Sequence, residues 1–335
     1  MNIRYLILCL TTRCNLACAY CYHGESPEPM DMSWAVLDRA LDRVGTENGP
    51  FHLQLTGGEP TLVPALIERA VRQVRIPGRS VTIGIQTNGT CLNPDLVELF
   101  RTFDVQVGVS LDGPPAVHHA LRGQASQTLR GLQLLEARGV PFRVTTVVSR
   151  ENVGHLDRLV WLLAGFGQAR GIGLDLLVRK GRAIQGSAVA PADASALRNG
   201  LHAMAAALQA VNRWRSVPLQ LRELELLRRP GSTSTDPRFF CHACRGQSVA
   251  VHPDGRIFPC GQTLGDPNFA AGTIENPEPA CLTVLQGIHL TSEHCRSCPL
   301  QRRCPGECPS RLHANRSDNP TLACELYRAL WEAGG

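Results

Sequence analysis

Tyr5-Leu-Ile-Leu-Cys-Leu10-Thr-Thr-Arg-Cys14-Asn-Leu-Ala-Cys18-Ala-Tyr-Cys21 decides how this chain is read. An apolar run, Tyr5–Leu10, ends in a polar loop carrying three cysteines at the spacing C-x3-C-x2-C. The run is strand-length. It falls far short of the ~20 apolar residues that cross a bilayer, and it lacks the basic start and longer apolar core of a signal peptide. Similar runs recur at Phe51–Leu55, Val81–Ile85, Val105–Leu111, Phe142–Val148 and Ile172–Val178. Between them lie amphipathic stretches: Met32–Val44 (with Ser33 as N-cap), Ala65–Val74, Asp95–Phe103, Ser126–Ala137 and Val153–Ala164.

Strands that alternate with helices pair in parallel through crossovers. The expected fold is therefore α/β, a sheet curved into a partial (β/α)6 TIM-like barrel over residues 1–215. Such folds collect their sites at the C-terminal ends of the strands. The loops there carry the chemistry: Cys14–Cys21, Gly57-Gly58-Glu59-Pro60, Gln86-Thr87-Asn88-Gly89 and Ser110-Leu111-Asp112-Gly113. Residues 193–214 read as a long helix with Leu197, Leu201, Met204, Leu208 and Val211 on one face. A linker over 216–240 follows, including the turn-rich stretch 229–235, and then a cysteine-rich domain over 241–335 that ends in a helix.

The chain has 335 residues, 43% hydrophobic and 19% charged, which excludes a disordered or collagen-like polymer. Its net charge of +5 comes without a basic run, so neither a nucleic-acid nor a membrane partner is indicated. Of its 14 cysteines, five lie in the first 91 residues, none between 92 and 240, and nine from Cys241 to Cys324. In a chain expected in the reducing cytoplasm, that abundance points to metal rather than disulfides. Three thiolates on one short loop suit an iron–sulfur cube and leave one iron open for a substrate or cofactor. A zinc loop with a distant fourth ligand is the alternative. The second part reads Cys241-x2-Cys244, Gly255-x4-Cys260, Cys295-x2-Cys298-x5-Cys304-x3-Cys308 and Cys324. Eight cysteines suffice for two fully ligated [4Fe-4S] clusters; paired C-x2-C spacings also suit a zinc ribbon. Cys9 reads as core. Cys91 is a candidate for facing the site, and Cys281 for a spare ligand or reactive thiol.

The three-cysteine loop, with Tyr20 before its last cysteine, resembles the signature of the radical S-adenosylmethionine (SAM) superfamily, and Gly57-Gly58-Glu59-Pro60 is similar to that family's second motif. The C-terminal array resembles the SPASM extension of members that mature peptides and proteins. The resemblance spans residues 5–327 and implies SAM on the open iron, an oxidoreductase acting through a 5′-deoxyadenosyl radical, and three [4Fe-4S] clusters. It places Cys14, Cys18 and Cys21 on the SAM-binding cluster. It places Cys241, Cys244, Cys260 and Cys308 on a first auxiliary cluster, and Cys295, Cys298, Cys304 and Cys324 on a second. It sets Tyr20 beside the adenine, Ser110 and Arg122 on the ribose and carboxylate of SAM, and Thr87 and Asn88 nearby. Gly57 and Gly58 are expected to let backbone approach the ligand, with Glu59 adding negative charge near its ammonium.

Two departures shape the expected function. Sulfatase-maturing relatives place an Asp base directly after the cysteine matching Cys260; here Gly261 and Gln262 follow. Formylglycine formation is thereby disfavoured. Second, the sequence begins directly at the first strand, so recognition of a peptide leader is expected from the barrel mouth, the cysteine-rich domain or a separate protein. The leading expectation is hydrogen abstraction from a side chain of a ribosomally made peptide, followed by a thioether or carbon–carbon cross-link. Electrons come from a donor such as flavodoxin or ferredoxin. A radical SAM dehydrogenase of a small metabolite is the alternative. The catalytic base is not identifiable from sequence.

Overall fold

Each apolar run becomes a strand, and the alternation of side chains along it separates two kinds of surface. The computed structural model describes residues 2–24, 28–45, 50–75, 80–184, 189–228, 240–288, 293–301, 303–315 and 321–334. Its strands are β1 (Tyr5–Cys9), β2 (Phe51–Thr56), β3 (Val81–Thr87), β4 (Val105–Ser110), β5 (Phe142–Val148), β6 (Ala169–Leu176), β7 (Gln220–Leu221), β8 (Ser248–Val251) and β9 (Ile257–Phe258). They form one sheet in the order β7-β6-β5-β4-β3-β2-β1-β8-β9. Neighbours are parallel except for the antiparallel pair β8–β9. β7 and β9 are its two ends, so the barrel stays open.

The helices are α1 (Trp34–Gly45), α2 (Pro64–Val74), α3 (Pro94–Thr102), α4 (Pro115–Arg122), α5 (Ala125–Ala137), α6 (Leu156–Ala164), α7 (Ala194–Asn212), α8 (Arg222–Arg228), α9 (Glu293–Arg296), α10 (Pro309–Asn315) and α11 (Leu322–Gly334). α7 buries Leu197, Leu201, Met204, Leu208 and Val211, as its periodicity predicts. The amphipathic stretch 153–164 divides into a 3-10 turn, Val153–His155, and α6. α4 was not expected; its eight residues are too short for a clear period. Within the span read as linker, 220–228 form β7 and α8, while 229–239, including most of the turn-rich stretch, lie outside the described residues. The cysteine-rich part joins the barrel through β8, which pairs with β1, Tyr5 lying opposite Ser248. Among the described residues no helix is long and apolar enough to cross a membrane.

One face of the sheet packs on the helices. Leu53, Leu55, Ile83, Ile85, Val107 and Val109 are buried there in a single core. The other face is polar and lines a cavity, presenting Gln54, Thr56, Gln86, Ser110, Thr145 and Asp175. Hydrogen bonds run across it: Tyr5 to Gln54 Oε1 (3.3 Å), Gln86 Nε2 to Ser110 Oγ (3.0 Å) and Thr145 Oγ1 to Gln86 Oε1 (3.4 Å). A row of polar side chains inside a barrel is sustainable because neighbours satisfy one another.

The glycine pair after β2 sets the three-cysteine loop in place. The Gly58 amide donates to the Thr11 carbonyl (2.8 Å) and the Glu59 amide to the Arg13 carbonyl (2.9 Å). A Cβ on Gly57 would stand 2.6 Å from the Thr11 carbonyl oxygen, and one on Gly58 2.2 Å from that of Arg13. The missing side chains thus admit the chain's own residues 11–13, and the same two glycines line the cavity at the barrel mouth. Gly58→Ala is expected to destabilise the fold by about 2 kcal/mol, lowering the thermal midpoint by about 4 °C or more. Gly154→Ala, whose Cβ meets nothing within 4 Å, should leave the midpoint unchanged or raise it; equal midpoints for both variants would refute this account.

Candidate active site

A cavity of about 1220 Å³ opens at the C-terminal ends of β1–β6 and is walled on its far side by the cysteine-rich part. Cys14, Cys18 and Cys21 line it, as do Gly57, Gly58, Glu59, Thr87, Asn88, Ser110, Tyr20 and Arg122. Cys241, Cys260 and Cys308 line the same cavity. The sequence-predicted residues of the barrel therefore converge on one space shared with three cysteines from the C-terminal part of the chain.

Glu59 serves the scaffold. Its carboxylate is buried and accepts from Thr61 N (3.1 Å), Thr61 Oγ1 (2.6 Å), Thr87 Oγ1 (2.6 Å) and Asn88 N (2.6 Å). Burial pushes its pKa above the ordinary carboxylate value, and these four donors oppose the shift. The charge expected to face a ligand is thus already matched by donors that tie the end of β2 to the end of β3. Asn88 extends the tie, donating to Asn15 Oδ1 in the three-cysteine loop (2.9 Å).

Tyr20 and Arg122 meet at a residue that sequence reasoning quoted without giving it a role. Asp112 is fully buried, accepts from the Tyr20 hydroxyl, and receives Arg122 Nε on Oδ2 (2.8 Å) and Nη2 on Oδ1 (3.2 Å). The Arg122 guanidinium lies over the Tyr20 ring, 5.2 Å from its centroid. Behind them, Asp112 N donates to His118 Nδ1 (3.2 Å), so that nitrogen holds a lone pair and the ring is neutral. The signal available was an Asp in a strand-end loop ten residues before an Arg; the fold makes them a pair.

None of the cysteines is joined to another in a disulfide among the described residues. Burial, and then the neighbouring thiols and Glu59, push Cys14 up to about 11, opposed by the Leu16 amide; burial also raises Cys18, opposed by Arg122. The eight C-terminal cysteines fall into two electrostatic neighbourhoods. Cys308, pushed to about 11 by burial, is raised further by Cys260; Cys260 is raised by burial and by Cys241. Cys241 and Cys244 stand 3.6 Å apart, and their shared hydrogen bond holds Cys244 down and Cys241 up. Cys304, pushed to about 11 by burial, is raised further by Cys324, Cys298 and Cys295. Thiols held neutral this way become thiolates only against a compensating cation, which is the chemistry of a metal–sulfur cluster. Among the described residues no three His, Cys, Asp or Glu side chains converge closely enough for one metal ion; a four-iron cube spreads its thiolates farther apart. The donor set fits iron–sulfur clusters.

Other cavity residues carried no signal in the sequence. Asp175 at the end of β6 accepts from Arg222 Nη2 (2.8 Å), and Ser310 Oγ lies 2.7 Å from Gln262 Oε1 and 3.1 Å from Cys308 Sγ. Cys9 is buried core. Cys91 accepts from Asn15 Nδ2 (3.4 Å) beside the three-cysteine loop, and Cys281 lies against Glu278 (3.6 Å).

The open parallel barrel has counterparts among known proteins. Residues 8–162 match the Radical SAM superfamily. An uncharacterized protein of Methanocaldococcus jannaschii, MJ0907, is 35% identical over 187 residues, 53% of this chain and 64% of that protein. The AdoMet-dependent heme synthase of Methanosarcina barkeri is 34% identical over 192 residues, 55% of this chain and 53% of that enzyme. The chain thus spans between half and two thirds of those two relatives. A serine-type anaerobic sulfatase-maturating enzyme of Klebsiella aerogenes is 27% identical over 337 residues, 94% of this chain and 81% of that enzyme. Among solved structures, native anSMEcpe with bound AdoMet superposes with a TM-score of 0.78 at 22% identity, covering 99% of this chain and 96% of that one. Streptococcus suis SuiB bound to the precursor peptide SuiA gives 0.67 at 16% identity, covering 97% and 76%. Residues 8–162 thus carry a radical SAM domain, and a cysteine-rich C-terminal region follows it.

Burial lowers His118 to about 4, with the Arg122 charge adding to the effect. A folded-state value below the ordinary 6.5 means that unfolded chains take up the proton first. Stability from neutral His118 is complete above about pH 6.5 and lost as pH falls towards 4, about 3 kcal/mol in all. In thermal melts across that window, His118→Asn should flatten the decline; an identical slope in the variant would show that His118 does not titrate this way.

Proposed function

We propose that this chain is a SAM-dependent radical maturase that oxidises a peptide side chain and joins it to a second residue of the same peptide. One observation carries the reading: the three-cysteine loop and three cysteines of the first quartet open into a single cavity of about 1220 Å³, larger than a small ligand needs and roomy enough for SAM beside a peptide segment. In this reading Cys14, Cys18 and Cys21 hold the SAM-binding cluster. Cys241, Cys244, Cys260 and Cys308 hold a first auxiliary cluster, and Cys295, Cys298, Cys304 and Cys324 a second. When bound, the cluster and SAM together supply the 5′-deoxyadenosyl radical that removes a hydrogen atom from the peptide.

The chain's own residues bind and orient. Arg122 offers a guanidinium to the carboxylate of SAM, Tyr20 closes the adenine side, and Ser110, held by Gln86, faces the ribose. Asn88 and Glu59 keep the glycine loop and three-cysteine loop together beneath them. At Gly261 there is no side chain to take a proton where sulfatase-maturing relatives carry a carboxylate, while Gln262 and Ser310 place neutral polar groups beside Cys308. That wall favours bond formation at the oxidised carbon over aldehyde formation. A peptide substrate, an electron donor such as flavodoxin or ferredoxin, and a separate leader-binding protein complete the proposed system.

Anaerobically reconstituted protein should hold roughly twelve irons and twelve sulfides, from three cubes. Replacing Cys14, Cys18 and Cys21 by Ala should leave roughly eight irons and abolish 5′-deoxyadenosine formation from SAM with dithionite; persistent deoxyadenosine in that variant would mean that the SAM-binding cluster lies elsewhere.

Incubation with SAM, dithionite and peptides encoded beside the gene should give a product lighter by two hydrogens, localised to two residues by tandem mass spectrometry. A product of unchanged mass with one inverted stereocentre, or a new carbonyl on a single Ser or Cys, would replace the cross-linking reading.

A further inference from the structure

Arg122 is not free to find SAM unaided. A guanidinium offers five N–H donors in a rigid fork. Two of its nitrogens are already engaged by Asp112, through Nε (2.8 Å) and Nη2 (3.2 Å). Nη1 has no hydrogen-bond partner among the described residues, and Arg122 lines the cavity. Asp112 is itself fixed from three further directions. Its Oδ1 accepts from Val147 N at the end of β5 (3.0 Å), its amide donates to His118 on α4, and its carbonyl accepts from Asn152 Nδ2 (3.0 Å). On its other side it accepts from the hydroxyl of Tyr20, one residue before Cys21. Asp112 therefore joins β5, α4 and the three-cysteine loop through one carboxylate with no exposed surface.

We propose that Asp112 is a positioning residue for SAM: it aims Arg122 and Tyr20 at the cofactor and neutralises the cation that would otherwise stand unpaired beside Cys18. This rests on the SAM-binding reading above. Two features support it. The three-cysteine loop is anchored at the same corner by Ala19 N to the Leu121 carbonyl (2.9 Å) and Gln124 Nε2 to the Asn15 carbonyl (3.1 Å), so a shift of Arg122 moves with the loop. Arg122 and Cys18 line the same cavity and Asp112 is the counter-charge of Arg122, so removing that carboxylate leaves an unpaired cation at the site and changes more than the packing. A merely structural aspartate would affect folding alone.

The test uses reconstituted holoenzyme and SAM as the probe. Asp112→Asn keeps the shape and one acceptor but removes the charge. SAM affinity, measured from the change in the reduced cluster's electron paramagnetic resonance signal, should weaken by about tenfold or more. The midpoint potential of the SAM-binding cluster should move upward, because an uncompensated cation favours the added electron. Iron content should stay at the wild-type level. Arg122→Lys, which keeps the charge but cannot form the fork, should weaken SAM binding comparably, and the losses should not add: the double variant should lose as much as one single variant. Wild-type affinity and potential in Asp112→Asn, or losses that add in the double variant, would overturn the proposal. If Asp112→Asn fails to fold, wild-type affinity in Arg122→Lys alone overturns it. A wild-type holoenzyme that neither binds nor cleaves SAM would instead overturn the functional reading.

Discussion

The contact on which the site depends is backbone against backbone. Residues 11–13 lie on Gly57 and Gly58 with carbonyl oxygens where side chains would otherwise begin. Two amide hydrogen bonds then hold the strand that leaves β1 across the end of β2. From there the chain has one course, over the barrel mouth, and the three cysteines follow within eight residues. Thr11 and Arg13 fasten the outer side through Asp31. The Arg13–Asp31 pair is largely solvated, so it contributes little energy and mainly direction.

Around that contact the barrel divides its labour by strand face. Outward side chains are largely aliphatic and make the core; inward ones include amides, hydroxyls and a carboxylate as well as Ile7 and Val147, several of the polar ones paired across the strands. An aliphatic interior would be more stable but would fill the space. The open sheet, ended by β7 and β9, is what leaves a cavity wide enough for the cysteine-rich part to form its far wall. Charges inside are matched: Glu59 by four donors, Arg122 by Asp112, and Arg222 by Asp175 and Glu223. Each matched charge fixes a loop, so binding groups are held before any ligand arrives.

Much of this was legible in the sequence. Parallel strands and crossover helices follow from local period, since each helix and strand must bury one face whatever its neighbours are. The cysteine spacings and the motif loops at strand ends named many of the residues that line the cavity. Boundaries slipped where local signals were weak: β6 begins at Ala169 because pairing with β5, not apolar content, starts it, and β7 is too short to show a pattern. Glu59, Gly57 and Gly58 stand at the cavity where the motif placed them, but their contacts with residues 11–13, 61, 87 and 88 were not legible, because a motif shows which residues stand together and not which atoms they touch.

The sequence by itself determined the α/β alternation, the three-thiol loop and the supply of cysteines, since these are properties of short stretches. Only the tertiary structure decided which distant groups meet. Cys308 shares the cavity with Cys260, whose charge acts on it, whereas Cys304, four residues before it, is acted on by Cys324, Cys298 and Cys295. Asp112 meets Tyr20 across 92 positions because their two strands end at the same mouth. Hydrogen bonds and charge pairs act over a few ångströms and are indifferent to separation along the chain, so these partners exist only once the barrel is wound.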